Sequence, residues 1–210
     1  MNKPACFISL EGGEGVGKST QVRALAAALA ERDVAVVVTR EPGGSEGAEA
    51  IRDLLLSGDE ARWSITAEAL LFAAARADHV EKTIRPALEQ GRWVLSDRFV
   101  DSSIAYQGAA GGFGLDRARE LHRLACGDFL PDRTMVLVLE GAQGSERARL
   151  RDTDTADRIG GRTADYHRDV DLAFRDMAAL EPERVRLVDA SGAPDEVTER
   201  LLAAVEDLLP

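Results

Sequence analysis

The stretch Gly12–Ser19, GGEGVGKS, fits the pattern G-x-x-x-x-G-K-[ST] and is the part of the chain best equipped for chemistry. It follows the apolar run CFISLE and opens a helical pattern, the context such a loop needs. Glycines let the backbone curl until its N–H groups converge on phosphate oxygens. Lys18 adds a cation toward the β- and γ-phosphates, the Ser19 hydroxyl can ligate Mg2+, and the helix N-terminus supplies a positive dipole end. Glu14 is one of the few side chains inside this loop. A carboxylate beside polyphosphate is costly, so it either turns toward a second ligand or is solvated.

A second signal is RWVLSD, an apolar run ending in Asp97, which places an acid where Mg2+ or its water would be held. The run opens directly into DRFVDSSIAYQG, residues 97–108, an unusually mixed set of acid, base, hydroxyl, phenol and amide. Cations that could bind an acceptor phosphate are Arg40 in TREPGG, Arg52 one helix later, and Arg98 after Asp97. Phe72 and Arg76 are four residues apart and share one helical face. An aromatic ring and a guanidinium one turn apart can stack on a base and read its edge. Taken alone, core packing for Phe72 and a surface charge for Arg76 are the simpler accounts.

These residues need a scaffold that gathers strand ends. Apolar runs ACFISL, VAVVVT, RWVLSD, RTMVLVLE and VRLVDA alternate with helical patterns at Lys18–Asp33, Glu46–Leu56, Thr66–Gln90 (with a break near Pro86), Ser102–Ala109, Leu115–Gly127, Ser145–Arg151, Thr163–Leu180 and Asp195–Leu209. Such alternation implies an α/β fold with a parallel sheet of about five strands and helices on both faces. The strands are nearly continuous in apolar residues, as sheets buried on both faces require. Ligands in these folds bind beyond the carboxyl ends of the strands, where the motifs fall.

The 210 residues suit one domain with a small lid. Lys and Arg number 26 against 37 Asp and Glu, a net charge of -11. That balance argues against a broad nucleic-acid or membrane footprint, though a local site can still be basic. Cys6 and Cys126 read as reduced structural residues. No apolar run approaches a membrane span, and the first residues lack the apolar core of a signal peptide, so a cytoplasmic protein is expected.

EGGEGVGKST, TREPGG, LFAAARADHV, DRFVDSSIAYQG and DRIGGRTADYHRDV occur in this order and together resemble the bacterial thymidylate kinase family over nearly the whole chain. TREPGG combined with DSSIAYQG is far more specific than the phosphate loop. The resemblance implies a P-loop NTPase-type kinase over residues 1–210, with a mobile lid near 147–162, moving the ATP γ-phosphoryl group to dTMP with Mg2+ held by Ser19 and Asp97. It implies ATP binding by Gly12, Gly13, Glu14, Gly15, Val16, Gly17, Lys18, Ser19 and Thr20. Phe72 would stack on thymine, Arg76 would donate to its O4, and Ser102, Ser103 and Gln107 would line the base. Tyr106 would crowd the sugar, Glu14 would contact the 3′-hydroxyl, and Arg40, Arg52 and Arg98 would serve the acceptor phosphate. Lys18, Asp97 and Arg98 would be catalytic. The phosphate loop lacks the arginine some members carry, so a lid arginine is expected instead: of Arg147, Arg149, Arg151 and Arg158, the choice falls on Arg151 and Arg158. A homodimer packed through helices is also implied. Departures from the family pattern are Phe99, where Tyr is common, Gly160, where a glutamate commonly follows the isoleucine, and Asp171, where a basic residue is frequent. A kinase with another base preference and a non-catalytic nucleotide-binding protein are the alternatives.

Overall fold

The structure is a computed structural model that describes residues 5–139 and 158–209. Five strands, β1 (Phe7–Glu11), β2 (Val36–Arg40), β3 (Trp93–Asp97), β4 (Arg133–Val138) and β5 (Val185–Asp189), form one sheet in the order β2-β3-β1-β4-β5. Every pairing is parallel, with Leu10 opposite Asp97 on one side and Met135 on the other. β1 is therefore central, and the phosphate loop leaves the middle of the sheet.

Successive strand side chains point to opposite faces, and the two cores follow that period. Ile8 and Leu10 join Leu95, Met135 and Leu137 on one face, against Leu25 and Leu29 of α1 (Lys18–Ala30) and Leu201 of a helix at Pro194–Val205. Phe7, Val94 and Val136 face the other way, toward Ile84, Phe99 and Phe174. That second layer holds α2 (Glu46–Leu56), α3 (Ile65–His79), α4 (Arg85–Glu89), α5 (Val100–Ser103), α6 (Leu115–Cys126) and α7 (Ala164–Leu180), and the Pro194–Val205 helix is α8. The expected architecture is thus observed. Among the described residues no helix is long and apolar enough to cross a membrane.

Two details differ from the sequence reading. There is no break at Pro86. α3 passes through a π-helical turn, Val80–Ile84, into α4, and the proline is the second residue of α4, directly after that wider turn. A second π-helical turn, Ile104–Ala110, extends α5 and presents Tyr106 and Gln107. The expected helix at Ser145–Arg151 lies outside the described residues, together with Arg147, Arg149 and Arg151.

Polar residues are buried where the strands end. Glu11, fully buried, accepts hydrogen bonds from the Phe99 amide at 2.7 Å and the Ser102 hydroxyl, so the end of β1 anchors the loop after β3. Burial, with the Asp101 charge nearby, pushes the Glu11 carboxyl up to about 8. Below the layer, Asp101 accepts from both Nη atoms of Arg184 and from the Thr134 hydroxyl.

Two stability outcomes follow. Leu25→Ala, at a fully buried position that ties α1 to the sheet, should lower unfolding free energy by about 2–5 kcal/mol. Urea melts check this. For Glu11, the folded protein retains a proton that the unfolded chain has released between pH 4.5 and about 8. This group's stabilisation is therefore complete below 4.5 and is lost as pH rises through 8. Glu11→Gln should flatten the stability profile between pH 5 and 8 relative to wild type, by at most about 1.4 kcal/mol per pH unit. Identical slopes would place the proton on another group.

Candidate active site

The phosphate loop is shaped by steric limits on its glycines. Gly12 has φ 130°, and a Cβ there would stand 2.4 Å from the Leu137 carbonyl oxygen, so only glycine fits. Gly17, at φ 98°, turns the chain into α1. Val16 is buried in the α1-side core, while Thr20 is exposed. Lys18 folds back onto the loop, donating to the carbonyls of Gly12 at 3.0 Å and Gly13 at 2.6 Å. Burial and the Arg98 charge bring its pKa down to about 8. The Ser19 hydroxyl donates to Asp97 Oδ2 at 2.6 Å.

β3 ends beside this loop, and Arg98 follows it at φ 72°, a left-handed conformation uncommon outside glycine. Its amide donates to the Leu10 carbonyl, and its carbonyl accepts from the Ser96 hydroxyl. The unusual backbone aims the guanidinium across the cleft. It pairs with Glu14 at 2.6 Å, donates to Ser102 Oγ and the Gly12 carbonyl, and lies over the Tyr106 ring. Burial pushes the Glu14 carboxyl up, but Arg98 and Lys18 outweigh it and hold the group below its ordinary value.

One cleft of roughly 250 Å³ joins the two halves. Gly15, Gly17, Lys18, Ser19 and Asp97 line one end, and Arg40, Arg52, Phe72, Arg76, Ser102, Ser103, Tyr106 and Gln107 line the rest, with Glu14 and Arg98 among the lining residues. The scattered motifs thus meet in space. Arg40 pairs with Glu49 on the exposed rim, and Arg52 donates to the Pro42 carbonyl. The Glu41–Pro42 peptide is cis.

Arg76 is buried, so the surface-charge account of it falls. Its Nε donates to Glu41 at 2.8 Å and its Nη2 to Ser103 Oγ at 2.8 Å and the Phe99 carbonyl. Nη1 has no protein partner among the described residues. Glu41 also faces His79 Nδ1, and Thr39 faces Nε2, so the TREPGG loop is locked to α3.

Arg158 sits away from the phosphate loop in this structure. Rather than lying with Lys18, it is buried in the wall near Ile159, donating from Nε to the Leu55 carbonyl at 2.9 Å and from Nη2 to Glu68 at 2.6 Å. Glu68 there supplies a short, charge-assisted acceptor for the guanidinium. Asp171 lies beside the phosphate loop: a Cβ on Gly13 would be 3.0 Å from its Oδ1. Burial raises its carboxyl above the ordinary range.

Sequence reasoning missed Glu11, Glu41 and Glu68, the carboxylates that hold these cations and loops. For Glu68 a signal existed. The four-residue spacing of Phe72 and Arg76 extends back to it along the same helical face.

The comparisons agree with this geometry. Residues 10–201 match the thymidylate kinase family model. The chain is 56% identical over 207 residues to a thymidylate kinase of Rhizorhabdus wittichii, covering 99% of this chain and 100% of that protein. It is 48% identical to a thymidylate kinase of Symbiobacterium thermophilum, with 97% and 94% covered. A crystal structure of thymidylate kinase from Ehrlichia chaffeensis superposes with a TM-score of 0.78 at 29% identity, over 96% of this chain and 99% of that one. A strand–loop–helix phosphate cradle opening into a base-sized cleft, on a chain aligned from end to end with these enzymes, makes this protein a member of the thymidylate kinase family.

Proposed function

We propose that the cleft receives dTMP at its Phe72–Arg76 end while Gly12–Thr20 cradles the phosphates of ATP. The reaction is that of the family, passage of the ATP γ-phosphoryl group to dTMP to give dTDP. The observation that carries the residue-level reading is the single cleft, lined at one end by Lys18 and Ser19 and at the other by Phe72, Arg76 and Gln107.

Phe72 offers its ring to the pyrimidine, and Arg76, with only donors, suits the carbonyl at position 4 of thymine and not the amino group of cytosine. Ser102 and Ser103 line the base, Tyr106 stands against the sugar, and Glu14 accepts from the 3′-hydroxyl. Arg40, Arg52 and Arg98 serve the acceptor phosphate. Lys18 leaves the loop carbonyls for phosphate oxygens and balances the charge that spreads over them. Transfer between phosphates is chiefly positioning and charge stabilisation, so no side-chain nucleophile is needed.

Ser19 Oγ and Asp97 Oδ2 are hard oxygen donors held together at the cleft, a set that fits Mg2+. Among the described residues no cluster of three or more acids, histidines or cysteines offers a closed cage, which suits an ion shared with phosphates. Bound there, Mg2+ would supply neutralisation of the charge on the transferring phosphates. A single kinase domain over 1–210, a lid over 147–162 with Arg151 on it, and a cytoplasmic setting rest on the resemblance and the composition. For the homodimer, support comes from leucines left outside on α3 and α6: Leu70 is 52% exposed and Leu124 84%.

ADP release from ATP, followed over a panel of nucleoside monophosphates, tests the reading. dTMP should be the preferred acceptor, and release not stimulated by dTMP would overturn it. Lys18→Ala should lower kcat about 100-fold or more with the circular dichroism spectrum unchanged. Turnover within a few-fold of wild type would remove Lys18 from the reaction. Sedimentation equilibrium should give the mass of two chains, shifted toward one by Leu70→Glu.

A further inference from the structure

Glu68 lies on α3 one turn before Phe72, buried at 3% exposure, and receives donors from two separate parts of the wall. Its Oε1 accepts from Gln107 Nε2 at 3.0 Å. Its Oε2 accepts from Arg158 at 2.6 Å and Arg162 at 2.7 Å. Arg162 also donates to the Tyr166 hydroxyl, which donates to the Tyr106 carbonyl, returning to the π-helical turn that carries Gln107. The ring of contacts joins α3, that turn and the segment 158–162 around one carboxylate.

We propose that Glu68 is a positioning residue for acceptor recognition, which fixes the Gln107 amide so that its carbonyl oxygen is the atom offered to the base and which holds the wall carrying Ile159 in place. The inference rests on the reading of the cleft as the dTMP site. An ionised carboxylate has only acceptors, so the amide facing it must present its NH2 group. Gln107 Oε1 is then left without a protein partner among the described residues, on a residue that lines the cleft. Burial pushes the Glu68 carboxyl up, but Gln107, Arg158 and Arg162 together hold it below its ordinary value, so the charged form is the one present near neutral pH.

The chemical consequence is selectivity at position 3 of a pyrimidine. Thymine carries an N–H there, which an amide oxygen accepts. Cytosine carries a bare ring nitrogen, which meets that oxygen acceptor to acceptor. If the amide were unpinned it could rotate and offer NH2 to cytosine instead, so the discrimination belongs to Glu68 as much as to Gln107.

The test compares kcat/KM for dTMP and dCMP in Glu68→Gln, Glu68→Asp and Gln107→Leu, with thermal melts alongside. Glu68→Gln can donate as well as accept, which frees the Gln107 amide. The dTMP-to-dCMP ratio should fall about tenfold, with the KM for ATP within about twofold of wild type. Glu68→Asp keeps a charge for both arginines but withdraws from Gln107. It should lower the ratio in the same direction, which keeps the test open if Glu68→Gln does not fold. Adding Glu68→Gln to Gln107→Leu should not change the ratio further. An active wild type with an unchanged ratio in a folded Glu68 variant would overturn the positioning role alone. A parallel loss for both acceptors and for ATP would also overturn it, because a merely structural residue behaves that way. Wild-type protein idle with dTMP would overturn the acceptor reading and this inference with it.

Discussion

Taking a guanidinium out of water is costly, and a carboxylate buried beside it offsets part of that cost. The cleft is built on that constraint. Arg76 is held by Glu41, Arg98 by Glu14, and Arg158 and Arg162 by Glu68. For the fully buried pairs, Arg76–Glu41 and Arg158–Glu68, removing one member costs about 3–5 kcal/mol, because the survivor stays buried and uncompensated. The pairs also settle geometry. Each carboxylate sits on a different element from its arginine, so the pairs tie the phosphate loop to β3, the TREPGG loop to α3, and α3 to the segment after residue 157. The walls of the cleft are thus cross-linked by charges that meet within the protein.

This arrangement resolves the tension between an acidic chain, net charge -11, and a site for anionic nucleotides. The cations are gathered at the strand ends, and their counter-charges lie behind or beside them. Lys18 follows the same logic with neutral partners. It is held on two loop carbonyls, with its pKa brought down to about 8 by burial and Arg98, and in the proposed reaction phosphate oxygens would offer it a stronger acceptor. A ligand therefore does not enter a bare field of positive charge. It enters a balanced network and must offer better hydrogen bonds than the ones it displaces.

Much of the scaffold was legible from local pattern. The five strands, the phosphate loop and the helix after it are written in contiguous residues, with apolar runs and glycine spacing as the signal. The Phe72–Arg76 spacing was visible because helical periodicity is local too, but on its own it favoured core packing and a surface charge, and only the family resemblance pointed to a base site. The buried carboxylates were not, because their meaning comes from distant partners: Glu68 meets Arg158 across 90 positions, Glu11 meets Phe99 across 88, and Glu41 meets Arg76 across 35. A glutamate on a helix or strand end looks like a solvated residue until the fold brings its donor. The partner of Arg158 was hidden for the same reason. Its place in the sequence suggested a phosphate contact, and only the position of Glu68 shows why it is drawn into the wall. The π-helical turns were equally silent, since no residue type demands an extra residue per turn.

The backbone at Arg98 sets chemistry against folding preference. At φ 72° a glycine would be at ease, whereas a side chain there costs of order 1–3 kcal/mol. The chain spends that stability on a guanidinium aimed across the cleft. If Arg98 serves the acceptor phosphate as proposed, selection for robustness alone would drift toward glycine or asparagine at this position and yield a protein that folds more readily and works less well. Screens that score variants by heat resistance would then enrich for the wrong molecules at position 98, and only a screen that reads turnover would retain the arginine.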